Sequence, residues 1–370
     1  MLTAGDEYPI HQTPEPIAFS GSDRNFYDRF FFNGYSADGE TFFAAAMGIY
    51  PHLNIIDAAV SILRGGKQHS VFFSRPLNME RMNTYVGGFS VEVVEPLKRI
   101  RLKVEETEGI ALDVEFEGRA FPIEEPRFTR RQGPRMLMDV TRMTQNGRWS
   151  GKLRLDGQEI TVSPDSWTGT RDRSWGVRPI GAQDTQPLIP PLPPQFYWIW
   201  TPTNFPNLSM FYHVNHDEAG EAWNTRAVLA MDGAGQGELL HLDKPHMDIN
   251  YTPGTRRMKS AKLHLEDGQG NPHTVSFEPF GTFLMKGIGY GHPERKHGSY
   301  HGDQLSVLRE DYEPEKMSWQ QPENLHIQAI ARARHEGPNG LSSEGIGAFE
   351  QLFMGPHAPS GFRDILDGAA

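Results

Sequence analysis

The 370-residue chain contains no cysteine. Disulfides, thiolate metal sites and cysteine nucleophiles are therefore excluded, and the absence fits a reducing compartment. No run of about 18 apolar residues occurs, so no helical membrane span is expected. The opening MLTAGDEYPIHQTPEP lacks a basic stretch followed by an apolar one, so no secretory signal is expected and the protein reads as cytoplasmic. Positive charge is in deficit, 36 Lys and Arg against 47 Asp and Glu, for a net charge of −11. A nucleic-acid partner calls for a basic face, so none is expected. The small basic cluster Arg127, Arg130, Arg131 and Arg135 reads as a solvated strand or loop end. A G-x-G-x-x-G followed by an acid, a phosphate loop, G-x-S-x-G and H-E-x-x-H are all missing. Hydride transfer, nucleotide hydrolysis and serine-hydrolase chemistry thus lose their usual equipment, and no cofactor is expected.

What is present is strand. Stretches such as DRFFFNGYS, ETFFAAAMGIY, KQHSVFFSRPL, GGFSVEVVE and KRIRLKVEE are short, rich in β-branched and aromatic residues, and separated by turn chemistry such as SADGE and RGGK. NIIDAAVSILR has helical propensity, but its neighbours argue for strand. Leu112, Val114 and Phe116 alternate with Asp113, Glu115 and Glu117, as on a strand with one wet face. A strand and turn every ten residues or so predicts an antiparallel meander closing into a barrel. The same texture returns after the proline-rich QPLIPPLPPQ. The expected organisation is a barrel over 1–185, a stiff crossing over 186–195 and a second barrel over 196–370. The fold class is all-β: two tandem antiparallel β-barrels packed together. Barrels of about eight strands are the smallest able to hold a small ligand.

Three constellations carry candidate chemistry. In GTRDRSWGVRP (169–179), Asp172 lies between Arg171 and Arg173, with Trp175 and Arg178 following. Flanking arginines favour the anion, whereas a proton donor needs burial beside an apolar group such as Trp167 or Trp175. In FYWIWTPTNF, alternation puts Phe196, Trp198 and Trp200 on one face and Tyr197 and Ile199 on the other. Such a wall is ordinary core, or one side of a cavity for an apolar or polyene ligand whose carbocation the rings shield. His213 and Tyr212 point to opposite faces of the next strand, so only one of them can join a given cavity. In GIGYGHPERKHGSYHGD (287–303), His292, His297 and His301 with Glu294 or Asp303 are candidate zinc ligands, but the spacing matches no zinc pattern and no metal is assigned.

GTRDRSWGVRP resembles the G-x-x-D-H-x-W-G signature of the AttH-like and hydroxyneurosporene synthase-like proteins, which include the carotenoid 1,2-hydratases. GIGYGHPERKHGSYHGD and EGIGAFEQLFMG are similar to second-domain signatures of the same superfamily. The resemblance implies two lipocalin-like, calycin-type barrels in tandem, and it aligns Asp172 with the proton donor of the hydratases. Thr170 stands where those enzymes have an aromatic, and Arg173 where the motif has histidine. The function expected is cofactor-independent acid catalysis on a lipophilic isoprenoid, polyene or polycyclic molecule, by hydration, dehydration or cyclisation. Asp172 would donate the proton and Arg173 or Arg178 would set its position. Trp175, Trp198, Trp200, His213 and Tyr212 would contact the substrate along with Arg178. Two alternatives stand beside this reading. One is a lipocalin-type protein that binds a lipophilic ligand without chemistry; the other makes Asp172 a structural partner of Arg171 or Arg178 at the junction of the barrels.

Overall fold

A computed structural model of the chain describes residues 4–9, 23–183, 185, 186 and 194–370. Most of the proline-rich crossing, 187–193, lies outside the described residues, as do parts of the opening stretch. The regular elements are strands and short 3-10 turns. The strands form two antiparallel sheets, and the chain divides into two compact units: Met1–Pro190 with Lys286–Tyr312, and Pro191–Met285 with Glu313–Ala370.

In the first unit, β1 (Phe26–Ser36), β2 (Thr41–Tyr50), β3 (Ile55–Arg64) and β4 (Lys67–Pro76) form a meander. NIIDAAVSILR is β3, and Gly65 and Gly66 close its hairpin at φ of 58° and 77°, the left-handed backbone that a two-residue turn demands. Next come β5 (Tyr85–Val86), β6 (Phe89–Glu95), β7 (Arg99–Thr107) and β8 (Ile110–Gly118). The short β9 (Ile123–Glu124) and β10 (Phe128–Gln132) precede the 21-residue β11 (Arg135–Leu155). β12 (Gln158–Val162) and β13 (Trp167–Val177) follow, and a later strand, Ser306–Tyr312 (β22), joins the same sheet. The order is β22-β4-β3-β2-β1-β13-β11-β8-β7-β6-β5. The sheet curls until β5 meets β3 and β4. One apolar core lines its inner face, built from alternate residues such as Phe30, Phe32, Ile56, Val60, Leu112, Val114 and Phe116. Trp149 anchors it: the ring meets Phe43 and Phe116 edge-on at 5.1 Å, and its Nε1 donates to the Asn33 carbonyl at 2.9 Å.

The second unit contains β14 (Phe196–Trp200), β15 (Thr203–Asn204), β16 (Leu208–His216), β17 (Ala222–Met231) and β18 (Leu240–His241). It continues with β19 (Asp243–Tyr251), β20 (Met258–Glu266), β21 (Pro272–Leu284), β23 (Ile327–Glu336) and β24 (Ser342–Met354), in the order β18-β17-β16-β14-β24-β23-β21-β20-β19. The architecture is all-β, with one antiparallel sheet in each of the two units. The second unit differs from the uninterrupted 196–370 expected from sequence. Lys286–Tyr312 belongs to the first unit, because β22 pairs antiparallel with β4, Val307 opposite Phe73, and covers an edge that would otherwise stand open.

Candidate functional site

β13 lies between β1 and β11, with Asp172 opposite Phe31 on one side and Thr144 on the other. Successive residues of a strand face opposite ways. Arg171 and Arg173 therefore point into the barrel with Phe32 and Phe30, and Asp172 points out. Inside, Arg171 forms an ion pair with the buried Glu7 and donates from Nε to Gln145 Oε1 at 2.7 Å. Arg173 pairs with Asp28 at 2.5 Å, donates to the carbonyls of Arg29 and Tyr8, and stacks 3.9 Å from the centre of the Phe30 ring. Arg173 is thus not the residue that positions Asp172, and Arg171 is not its structural partner. Trp175, half-buried, is also on the inward-facing set of positions.

Asp172 is buried on the outer face, among the outward positions Tyr27, Arg29, Arg142 and Ser174 of the three adjoining strands. Its charge acts on Arg142. Burial opposes the charge of that guanidinium, yet Glu125, Asp172, Tyr27 and Tyr290 together raise its pKa above the ordinary arginine value.

The segment from Lys286 to His301 lies across this face as a strap. Gly287 lies so close to Ser61, Gln68 and Ser70 that a Cβ there would fall within 3 Å of all three side chains. Arg29 Nη2 donates to the Ile288 carbonyl at 3.1 Å, and its guanidinium lies 4.7 Å from the centre of the Tyr290 ring. Arg178 lies over Tyr27 at 4.3 Å and donates to His297 Nδ1 at 3.0 Å. The Gly298 amide donates to Asp57 Oδ2 at 2.7 Å, and Tyr50 Oη donates to Asp57 Oδ1 at 3.1 Å. Burial pushes the Asp57 carboxyl up to about 6, although Arg29, these two hydrogen bonds and Arg178 all pull it down. Burial likewise raises the phenols of Tyr27 and Tyr50. Asp57 lines a cavity of about 20 Å³ between the strap and β2–β4, walled by Ala46, Ala59, Phe72, Arg29 and His297.

Residues 2–363 match a family of unknown function, DUF8625. The chain belongs to that family. No curated protein matches the sequence. Among solved structures, this DUF8625 chain is similar to CghA, solved with Sch210972, at 10% identity and a TM-score of 0.54 over 94% of this chain and 97% of that one. An AttH-like protein from Nitrosomonas europaea matches at 12% identity and a TM-score of 0.50, over 93% of this chain and 98% of that one. Kievitone hydratase from Nectria haematococca matches at 10% identity and a TM-score of 0.49, over 88% of each chain. At these identities the likeness is one of fold, the two-domain AttH-like fold of lipocalin type.

The remaining sequence-predicted residues of the DUF8625 protein lie in its second unit. Trp200 is opposite His213, and Trp198 is two residues along on the same face, its ring 5.7 Å from that of His213. Tyr212 points the other way. Trp198 Nε1 donates to Glu350, which also accepts from His326 and Gln328. Asp172, Arg173, Trp175 and Arg178 lie in the first unit and the tryptophans, His213 and Tyr212 in the second, so the sequence-predicted set is two sets.

Of the strap histidines, His292 and His297 are each engaged by other partners. His292 hydrogen-bonds Glu310 through Nε2 and accepts two backbone amides at Nδ1. His297 is taken up by Arg178 and the Ile288 carbonyl. Among the described residues, no group of three or more His, Asp or Glu is arranged to hold a metal ion.

Sequence reasoning missed Asp57, Arg29, Tyr50, Arg142 and Tyr290. For the first two a signal existed: a charge interrupts an otherwise apolar strand in NIIDAAVSILR and in DRFFF. Among the described residues, no helix is long and apolar enough to cross a membrane.

Proposed function

We propose that this protein is an enzyme that transfers a proton to a lipophilic small molecule in a hydration, dehydration or cyclisation, with Asp57 as the proton donor in place of Asp172. The observation that carries the reading is the Asp57 carboxyl, raised to about 6 at the wall of a cavity and fixed at both oxygens by hydrogen bonds. A donor works best when its pKa lies near the working pH, which leaves a useful protonated fraction. Asp172 is less suited, because it lies beside the buried guanidinium of Arg142, whose charge it supports. It serves as a counter-charge that keeps Arg142 in place.

In the hydration direction, Asp57 delivers its proton to an alkene carbon and becomes a carboxylate. Water adds to the adjacent cationic carbon, and the proton it sheds returns to Asp57, so water is the only net addition. Dehydration runs the same steps in reverse. In a cyclisation the cation is attacked by a second double bond, and the carboxylate recovers a proton from the product.

The test is turnover of lipophilic alkenes and tertiary alcohols in deuterium oxide, with the product followed by mass spectrometry. Asp57→Asn should lower the rate of deuterium incorporation into product by about 10²–10⁴, whereas Asp172→Asn should lower stability more than rate. A labelled product at the parental rate from Asp57→Asn would sink the assignment.

The lipocalin-type reading, binding without chemistry, draws on another place in the first unit. A cleft of about 400 Å³ lined by Tyr8, Phe30, Met82, Tyr85 and Val91 opens on the protein surface. If a ligand resides there, Tyr85→Lys, at an exposed position of the cleft wall, should abolish binding of a fluorescent fatty acid and leave Asp57-dependent turnover intact.

A further inference from the structure

Arg29 is 1% exposed. A buried guanidinium is costly unless its five N–H donors are met. Nη2 reaches the Ile288 carbonyl, but Nε and Nη1 are buried and find no acceptor among the described residues. Arg295 repeats the pattern: one Nη1 bond to Ser306 Oγ at 2.9 Å, and a buried Nε with no acceptor. Both side chains line the cavity above Asp57, together with Lys296, His297 and His301. Asp57 is the one carboxylate in that wall, and both of its oxygens already take hydrogen bonds from Tyr50 and Gly298. The cavity therefore holds more cationic donors than it has acceptors to meet.

We infer that this cavity is an anion subsite, in which Arg29 and Arg295 hold the acidic head, a carboxylate or similar oxyanion, of the lipophilic substrate. The inference rests on the reading of the Asp57 cavity as the substrate site and adds the class of molecule. A void of about 20 Å³ has room for one water or for the oxygens of an acid, and none for a hydrocarbon. The hydrocarbon extends outward past Lys296 and Ser299, which are part-exposed. A guanidinium suits this task because its fork of donors meets two oxygens of one acid at once. The head also anchors the chain so that its first carbon stands at the mouth of the void, the part of the molecule nearest Asp57.

Calorimetric titration of the full chain with octanoate, 1-octanol, acetate and inorganic phosphate separates the possibilities. Octanoate should bind at least about tenfold more tightly than 1-octanol, the difference of one charge-assisted hydrogen bond. Arg295→Gln, at a part-exposed position, should erase most of that difference and leave 1-octanol unchanged. Arg29→Gln should do the same, with circular dichroism confirming that it folds. Equal affinity for octanoate and 1-octanol, no binding of octanoate, or an unchanged preference in Arg295→Gln would each overturn the inference. Phosphate or acetate binding without octanoate binding would make the site one for a free small anion and overturn it too. Asp57→Asn separates this inference from the catalytic reading. If that variant turns over normally the proton donor is lost, while the octanoate preference still stands or falls by itself.

Discussion

Inside the first barrel, Asp28 and Arg173 face each other with no exposed surface on either side chain. Removing one partner strands the other charge in an apolar core, which costs about 3–5 kcal/mol, whereas replacing both by apolar groups of similar volume is often neutral. Asp28→Ala should therefore lower unfolding free energy by about that amount in urea titrations, and Asp28→Leu with Arg173→Met should recover most of it. A double variant no better than the single would mean either that the pair contributes real net attraction or that the buried Arg81 also depends on the Asp28 charge, and Asp28→Leu with Arg81→Met tells the two apart. At this scale the sequence shows the charges but hides their partners. Arg171 and Glu7 are 164 positions apart, so nothing near GTRDRSWGVRP announces the pairing. The local pattern invited the opposite reading, an acid among its own neighbours, and strand alternation separates them. Asp57 was hidden for a related reason: its raised carboxyl depends on burial beneath a strap that comes from far along the chain.

The strands themselves were legible, because a period of two with turn residues between is a local property. The inward set Leu112, Val114 and Phe116 is in the core as the alternation predicted. The strap was not legible. It has no period, and its histidines drew attention to metal chemistry when their nitrogens in fact serve as joints: His292 to Glu310, His297 to Arg178. Its fit against the sheet depends on Gly287, where a Cβ would lie 2.1 Å from Gln68 Nε2 and 2.6 Å from Ser70 Oγ. Gln68 is itself buried and hydrogen-bonded to Ser61, so it has little freedom to withdraw. Gly287→Ala should lift the strap, costing about 1–3 kcal/mol as an overpacked contact. Amide exchange at Gly298, whose N–H holds Asp57, should accelerate more than exchange in β1–β3. Uniform acceleration throughout the first unit would mean instead that the whole barrel had loosened.

For the whole molecule, the two units should respond oppositely to mild acid. In the second unit, His335 and His357 are pushed down to about 4 by burial and by the neighbouring imidazoles of His273 and His216, which are themselves lowered by burial. A histidine depressed in the folded state favours folding above its unfolded value of 6.5, and that contribution is lost as the pH falls toward 4. Asp57 in the first unit runs the other way. Its folded value of about 6 exceeds the unfolded 3.8, so its contribution is complete below 3.8 and fades as the pH rises through 6. Calorimetric scans between pH 6.5 and about 4.5 should therefore show the second unit's transition falling relative to the first. His335→Gln should flatten that slope; parallel shifts of both transitions would contradict the assignment. The two-unit texture could be read from strands and turns alone. That the chain goes back was beyond local reading, since β22 looks like any other short strand until its partner β4 is known.

That return has a consequence for how the protein is made. Ser74 pairs with Ser306, so the edge of β4 leaves the ribosome roughly 230 residues before its partner. At ~5–20 residues per second the wait lasts on the order of ten seconds or more. Throughout it a bare strand edge is available to any other extended chain. Each unit is also built from two separate stretches of polypeptide, which alternate along the sequence with those of the other. A gene truncated at the proline-rich crossing would leave the first unit with that edge open and the second unit missing. Such a fragment should collect in inclusion bodies, and coexpressing 286–312 as a peptide should return part of it to solution.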